Sequence, residues 1–223
     1  MKLRILFCAV GVLMTGVGVG IMKRAAFGVD PFQSLMSGLD AVLPLPFWLI
    51  FTTVGGALLL FAIFSDRSYI GLGTLLTLFL QGYVIDWTRN ALFTMLSDLN
   101  LFQRGICFLI GIAVLCISSA MYYEASLGVS PYDSVALLLS EKYRIGKFQS
   151  VRVACDLVCV ALGAGLLLVS GTSWSELLSS IGPGTLITAI CMGPMIAWLR
   201  NRLFSRLLRT KARQARSREY DTI

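Results

Sequence analysis

Long apolar stretches make up most of the chain and are separated by short polar segments. Six of these stretches cover residues 5–22, 46–64, 70–88, 106–123, 148–169 and 178–199. Each is long enough to cross a bilayer as a helix, which takes about 17 to 25 apolar residues. The pattern therefore predicts an all-α, polytopic membrane bundle with about six spanning helices and almost no soluble domain.

Two pairs of similar segments divide the chain into halves. AAFGVDPFQS at 25–34 returns as ASLGVSPYDS at 125–134, and IGLGTLLTLFLQGYVIDW at 70–87 returns as IGPGTLITAICMGPMIAW at 181–198. These matches predict two homologous membrane repeats, residues 1–88 and 104–200. Residues 89–103 between them form a linker that we expect to be amphipathic and interfacial, and residues 201–223 form a basic tail.

A short helix is expected after each polar break, over residues 31–43 in the first half and 131–140 in the second. At about 1.5 Å per residue these helices reach about 20 and 15 Å, less than the ~30 Å hydrocarbon core. If both are re-entrant, each half crosses three times and the halves are inverted, as in many secondary transporters. If both cross, the chain has eight spans in parallel repeats; the sequence leaves both alternatives open.

Charge is scarce and concentrated at one end. Only 14% of the residues are charged, against about 25% in soluble domains, and the 19 Lys and Arg exceed the 12 Asp and Glu. Many of the basic residues lie in the tail, beside the last span. A basic end of this kind indicates a cytoplasmic terminus that meets anionic lipid rather than nucleic acid, so we expect both termini in the cytoplasm.

The six cysteines lie inside apolar stretches, and the chain has no histidine. They are Cys8, Cys107, Cys116, Cys155, Cys159 and Cys191. Because they lack the C-x-x-C spacing of metal or redox sites, we expect packing residues, with no disulfide, no metal and no cofactor.

Each break has the pattern of a helix start, with Asp30 or Ser130 at the N-cap, a proline next, and Gln33 or Asp133 at the third helical position. One interpretation is that these groups only satisfy backbone N–H groups within the membrane. The other is a site for a solute, proton or cation, because helix N-termini attract ligands and intramembrane carboxylates are candidate functional groups. Tyr132 lies in the same motif.

A charged pair appears in the second half alone. Arg152 and Asp156 are four residues apart on one helix face, while the corresponding segment PFWLIFTTVGG carries no charge. The pair either neutralises itself towards the bundle interior or takes part in coupling or substrate binding.

The two Ile-Gly-x-Gly-Thr segments at 70–74 and 181–185 predict close backbone approach between helices. We expect their threonines to hydrogen-bond across those contacts: Thr74, Thr77, Thr185 and Thr188.

These paired motifs resemble those of the YczE/YyaS/YitT group of bacterial integral membrane proteins, most closely the YczE-like members. In those members the short motif combines proline, an aromatic residue and aspartate, as Pro131, Tyr132 and Asp133 do here. The chain departs from the group with Tyr132 where tryptophan is usual, and with Asp30, Phe32 and Gln33 in the first copy. The resemblance implies a multispan fold in the bacterial inner membrane and no settled activity.

The sequence favours a small-solute transporter or exporter and not an enzyme. Candidate binding or coupling residues are Asp30, Gln33, Ser130, Tyr132, Asp133, Arg152 and Asp156. Helix N-termini and the arginine favour an anion, the aspartates favour protons or amines, and the substrate stays open, as does a homo-oligomer. The alternative is a scaffolding subunit that docks through small-residue faces such as 11–20. An acid/base dyad of the two break aspartates is disfavoured, because no second protease motif accompanies it.

Overall fold

A computed structural model describes residues 2–96, 99–199 and 202, and all regular elements within them are helical. The α-helices in this part are α1 (Lys2–Ala25), α2 (Pro31–Val42), α3 (Phe47–Ser65), α4 (Leu72–Leu76), α5 (Gly82–Met95), α6 (Leu101–Ala125), α7 (Pro131–Leu137), α8 (Phe148–Val169), α9 (Trp174–Ser180) and α10 (Pro183–Leu199). A 3-10 turn covers Arg67–Tyr69, and π-helical turns cover Thr77–Gln81 and Leu138–Lys142. The predicted all-α class is confirmed.

Five helices in the described part are long and apolar enough to cross a membrane: Lys2–Ala25, Phe47–Ser65, Leu101–Ala125, Phe148–Val169 and Trp174–Ile196. The last of these includes the short break between α9 and α10. The sixth predicted span, 70–88, is helical from Leu72 onward, but a π turn divides it into α4 and α5.

The central helices α1 and α6 pack closely and run antiparallel. A Cβ added at Gly11 would lie 3.0 Å from the Ser118 carbonyl oxygen, and one at Gly18 would lie 3.1 Å from the Leu115 nitrogen. Between these contacts the Thr15 hydroxyl donates to Ser118 Oγ at 3.0 Å. Small residues allow two membrane helices to approach this closely.

The other helices pack around this pair. Helix α5 packs on α1 and α10 on α6, while α2 lies along α8 and α3 contacts α7. Arg104, at the start of α6, donates to the carbonyl oxygens of Ala25 and Ala26 at 2.9 and 2.7 Å. The break after α6 instead contacts the start of α4, where Gly73 donates to the Leu127 carbonyl at 2.7 Å. The two breaks therefore lie at opposite ends of the α1–α6 pair.

Glycines at the two breaks have the same backbone conformation. Gly28 has φ +104° and Gly128 has φ +99°, in the left-handed region that other residues rarely adopt. A Cβ at Gly128 would also lie 2.5 Å from the Gly71 nitrogen. Positive φ and this close approach together explain why both breaks contain glycine.

The glycine–threonine segments make the close contacts that the sequence predicts, but only some threonines bond across them. Thr74 donates to the Val129 carbonyl at 2.7 Å. Thr77 and Thr188 instead donate to carbonyls one turn back in their own helices. A local acceptor takes the Thr188 hydroxyl proton in place of the expected cross-helix bond, whereas Thr77 also interacts with the Tyr122 hydroxyl of α6.

Both short helices stay short, with different ends from those predicted. Helix α2 has 12 residues, which gives a length of about 18 Å. Helix α7 was expected to end at residue 140, but its π turn continues to Lys142. Residues 89–95 of the predicted linker are part of α5. The basic tail lies outside the described residues apart from Arg202, and all six cysteines are free thiols.

Candidate functional site

The starts of α2 and α7 meet beside the central helix pair. The rings of Phe32 and Tyr132, each the second residue of its helix, stack with their centroids 4.7 Å apart and their planes at 21°. Asp30 Oδ1 accepts the Gln33 backbone N–H at 3.2 Å, so Asp30 occupies the N-cap position that the sequence predicts. The two breaks start at opposite ends of the α1–α6 pair, but each runs back towards the middle of the pair. Their polar residues therefore lie close together there.

In the second half, Asp133 and Asp156 both bind Arg152. The Arg152 Nη1 atom pairs with Asp133 Oδ1, and its Nε atom lies 3.4 Å from Asp156 Oδ1. Asp133 Oδ2 accepts two further hydrogen bonds, from the Tyr123 hydroxyl at 2.5 Å and from Ser130 Oγ at 2.8 Å. The Asp133 carboxylate is therefore well satisfied by its neighbours.

Tyr132 holds the other side of this cluster. Its hydroxyl donates to Asp156 Oδ1 at 2.5 Å and accepts from the Cys159 thiol at 3.7 Å. The Arg152 guanidinium lies 4.6 Å from the centroid of the Tyr132 ring, within cation–π range. The arginine is consequently fixed by two carboxylates and an aromatic face.

Polar groups around the first break have few partners. Among the described residues, Asp30 is in no ion pair, and its carboxylate is bonded to the backbone of Gln33. Gln33 is 2% exposed, yet its Oε1 atom has no hydrogen-bond partner in the described part of the chain. The Tyr122 hydroxyl of α6 is likewise buried near Thr77 without a hydrogen bond of ordinary geometry. Native structures contain few unpaired buried groups, so Gln33 Oε1 and the Tyr122 hydroxyl indicate room for a ligand or water.

Two cavities surround these side chains. The central cavity, about 90 Å³, is lined by Asp30, Phe32, Gln33, Ser130, Tyr132, Asp133 and Arg152, with Thr15 of α1 and Ser119 of α6. The larger cavity, about 570 Å³, shares Asp30, Asp133 and Arg152 with the central one and extends past Asp156 to Ser68, Tyr69 and Ser126. All seven residues predicted from the sequence therefore line one or both cavities.

The π turn between α4 and α5 contributes residues to the lining of the central cavity. Thr77 and Gln81 lie in this turn, and both line the cavity. Such turns redirect side chains and occur frequently at functional sites. The Ile-Gly-x-Gly-Thr motif at 70–74 predicts only close helix packing for this segment.

Other lining residues were also missed. Tyr122 and Tyr123 precede the second break, and Thr15 and Ser119 lie within apolar spans. Their one sequence signal is a polar group inside a membrane span, which is weak because hydroxyls there often bond to their own helix.

The larger cavity ends at a rim formed by Ser68, Tyr69 and Ser126. Tyr69 donates a hydrogen bond to Glu141 in the π turn after α7. That hydrogen bond, together with partial burial, raises the pKa of Tyr69 to about 12. The rim thus carries a contact between the 3-10 turn and the end of the short second-half helix.

A third cavity of about 350 Å³ lies at the other end of the bundle, and none of its described lining residues lines the central cavity. It includes Lys23, Asp40 and Arg89. Arg89 of α5 pairs with Asp40 of α2 at 3.0 Å and with Asp86 at 3.1 Å. The Asp40–Arg89 pair joins the end of α2 to α5, while the Asp86–Arg89 pair lies within α5.

Comparison with known proteins gives a family without a defined activity. Two proteins of Bacillus subtilis (strain 168) are similar along most of their length. The uncharacterized protein YyaS is 24% identical, covering 87% of this chain and 90% of YyaS. The uncharacterized membrane protein YczE is 27% identical, covering 86% of this chain and 82% of YczE. No solved structure matches the chain.

These matches confirm the resemblance inferred from the paired motifs. Together with the apolar helices they identify the chain as an integral membrane protein. A family match covers residues 2–201, nearly the whole chain. The chain belongs to the family of unknown function DUF6198.

Proposed function

We propose that the protein is a small-solute transporter built from two inverted repeats, with its solute site in the central cavity. The observation that carries the proposal is the meeting of two capped, short helices at one cavity beside the antiparallel α1–α6 pair. In inverted-repeat transporters, broken helices meet near the middle of the membrane and bind the solute there.

The packing pattern supports the repeat. Helices α1, α2, α3 and the pair α4–α5 would correspond to α6, α7, α8 and α10. Under that correspondence, the α1–α5 contact is matched by α6–α10, and the α2–α8 contact by α3–α7. The antiparallel arrangement of α1 and α6 is the relation that inversion requires.

The cavities support access from one end at a time. The larger cavity continues from the central one to the rim at Ser68, Tyr69 and Ser126. At the other end, α2 lies between the central and third cavities, with Asp40 paired to Arg89. We propose that transport alternates between this arrangement and one in which α2 opens and α7 closes, in line with rocking between repeats.

The described side chains support different roles for the two halves in solute binding. Arg152 is held by Asp133 and Asp156, so it serves as a fixed element of the site. Asp30 and Gln33 have groups available for a solute. We place the protein in the bacterial inner membrane with both termini in the cytoplasm.

A non-enzymatic role agrees with the state of Asp133. Arg152, Tyr123 and Ser130 all bind its carboxylate, which leaves it poorly suited to share a proton with Asp30 as an acid/base dyad would require.

The scaffolding alternative loses the feature that suggested it. The small residues of α1 pack inside the protein, with Gly11 and Gly18 against α6 and Gly16 and Gly20 against α5. They are therefore not free to dock a partner helix.

The test is flux in proteoliposomes containing the purified protein, measured with a panel of anions, amines and neutral solutes and with a pH-sensitive dye. We expect the wild type to move at least one solute and Asp30→Asn to lose that flux. Asp66→Asn is the matched control, because Asp66 also caps a helical turn but lies outside the membrane spans. A wild type that moves neither solute nor protons would overturn the proposal.

A further inference from the structure

We propose that the central cavity binds a small organic ammonium ion, of the primary or secondary alkylammonium class. The inference deepens the proposed function and rests on it for the claim that the bound ion is transported. Binding itself follows from the charge, the unpaired acceptor and the aromatic lining of the cavity.

Acidic side chains outnumber basic ones around the cavities. Among the described residues, the charged side chains that line the central and larger cavities are Asp30, Asp133, Asp156 and Arg152. Three carboxylates face one guanidinium, which leaves an excess of acidic groups, and a bound cation would offset it. An anion would add to the excess, and the Arg152 guanidinium is already paired with two carboxylates and stacked on the Tyr132 ring.

The central cavity also holds an unpaired hydrogen-bond acceptor. The Gln33 Oε1 atom is buried, lines the central cavity and has no hydrogen-bond partner among the described residues. Beside it, the one hydrogen bond that the Asp30 carboxylate accepts from the described residues comes from the Gln33 backbone N–H. Both groups need donors, and a protonated amine supplies two or three N–H donors together with positive charge.

Aromatic side chains line the central cavity as well. Phe32, Phe51, Tyr122, Tyr123 and Tyr132 line the central cavity. Aromatic faces attract organic cations and also favour their alkyl groups. This combination of carboxylate, amide oxygen and rings distinguishes an alkylammonium ion from a metal cation, which prefers oxygen ligands throughout.

The cavity also limits the size of the ion. A volume of about 90 Å³ has room for only a few non-hydrogen atoms. Because Asp30 lines both cavities, a longer substituent on the amine would extend into the larger one. The ammonium head is therefore the part that the central cavity selects.

The experiment measures thermal unfolding of the purified full-length protein in detergent at constant ionic strength, with sodium chloride as the baseline. The probes are ethylammonium chloride, tetramethylammonium chloride and sodium acetate. Ethylammonium should raise the Tm in a saturable way, because it binds the folded state. Tetramethylammonium, which has the charge but no N–H donor, should bind about tenfold or more weakly, and acetate should give no shift.

Two variants test the named residues. Gln33→Met should weaken ethylammonium binding by about tenfold or more, because it removes an acceptor for a charged donor. Asp30→Asn should remove the saturable shift while keeping the cap, since asparagine caps helices as well as aspartate does. Gln149→Met is the control, because Gln149 is exposed in the first turn of α8. If Gln33→Met does not fold, Asp30→Asn alone decides.

Several outcomes would overturn the inference: saturable stabilisation by acetate but not ethylammonium, equal binding of the two ammonium ions, or wild-type affinity in Asp30→Asn. Failure of the proposed function looks different. Ethylammonium binding without flux of any solute would leave the ammonium site intact and remove the transporter. Flux of an anion with no ammonium binding would support the transporter and remove the ammonium site.

Discussion

The two helix breaks share a backbone but differ in chemistry. Ala26 and Ser126 both have positive φ, at 55° and 51°, and each is followed by a left-handed glycine and a capped helix start. Yet Asp133 in the second break binds an arginine and two hydroxyls, while the Asp30 carboxylate in the first accepts, within the described part of the chain, only the Gln33 backbone N–H. The same local structure thus serves a fixed charge cluster in one half and an open one in the other.

The difference comes from a few positions. The second break has a tyrosine where the first has Phe32, so only Tyr132 can bond to a carboxylate on α8. Helix α3, which we propose to correspond to α8, carries no arginine to pair with a break residue. Without those partners, Asp30 and Gln33 keep free acceptor groups.

Removing the arginine should have the largest effect. Arg152→Met leaves Asp133 and Asp156 without their cation, and breaking a buried pair in this way costs about 3–5 kcal/mol. The free energy of unfolding in detergent should fall accordingly, whereas Arg67→Met, in an exposed 3-10 turn, should change it little. Adding Asp133→Asn and Asp156→Asn to Arg152→Met should restore part of the loss; no recovery would mean that charge is not the cause.

The two aspartates should respond differently to the same substitution. Asp133→Asn weakens charge-assisted hydrogen bonds and should cost about 1.5–3 kcal/mol. Asp30→Asn keeps an equivalent cap and should change stability by less than about 0.5 kcal/mol. Denaturant unfolding of both variants in one detergent measures the difference, and equal costs would contradict the contrast between the breaks.

Helix α2 packs closely against α8, and two glycines of α8 test that contact. A Cβ at Gly163 of α8 would lie 2.6 Å from the Ser34 carbonyl oxygen of α2, whereas one at Gly165 would meet nothing within 4 Å. Gly163→Ala should therefore destabilise the protein by about 1–3 kcal/mol. Gly165→Ala, two residues along the same helix, should be neutral or slightly stabilising in thermal unfolding.

The smallest effect is expected at the rim of the larger cavity. Because the pKa of Tyr69 is raised to about 12 in the folded protein, above about 10 in unfolded chains, folding favours the neutral phenol. That contribution is complete below pH 10 and is lost as the pH rises towards 12. Wild-type stability should fall more steeply than that of Tyr69→Phe between pH 9.5 and about 11, while both should agree at pH 8. Identical slopes would exclude the Glu141 contact.

Local features of the site were readable from the sequence because capping depends on neighbouring residues. Asp30 and Ser130 take the expected N-cap positions, and the seven candidate residues share two adjoining cavities. The i, i+4 spacing also gave the Arg152–Asp156 pair.

Contacts between distant helices were not readable. Arg152 also pairs with Asp133 of α7, and Tyr123 completes that cluster from α6; both depend on how α7 packs. The π turns likewise escaped prediction, because a π turn needs one extra residue in the helix and leaves no distinctive composition. One π turn extends the second short helix past its expected end at residue 140. This extension places Glu141 within hydrogen-bonding distance of Tyr69.

The proposed transporter function depends most on inversion of the two halves, which cysteine labelling measures directly. Leu45 lies after α2 and Ile145 after α7, and both are exposed. Leu45→Cys and Ile145→Cys would each be treated with a membrane-impermeant maleimide in right-side-out and inside-out vesicles, with the unsubstituted chain as the blank. Inverted halves predict labelling from opposite faces, with Ile145→Cys reacting from the cytoplasmic side. Labelling of both positions from the same face would contradict the account.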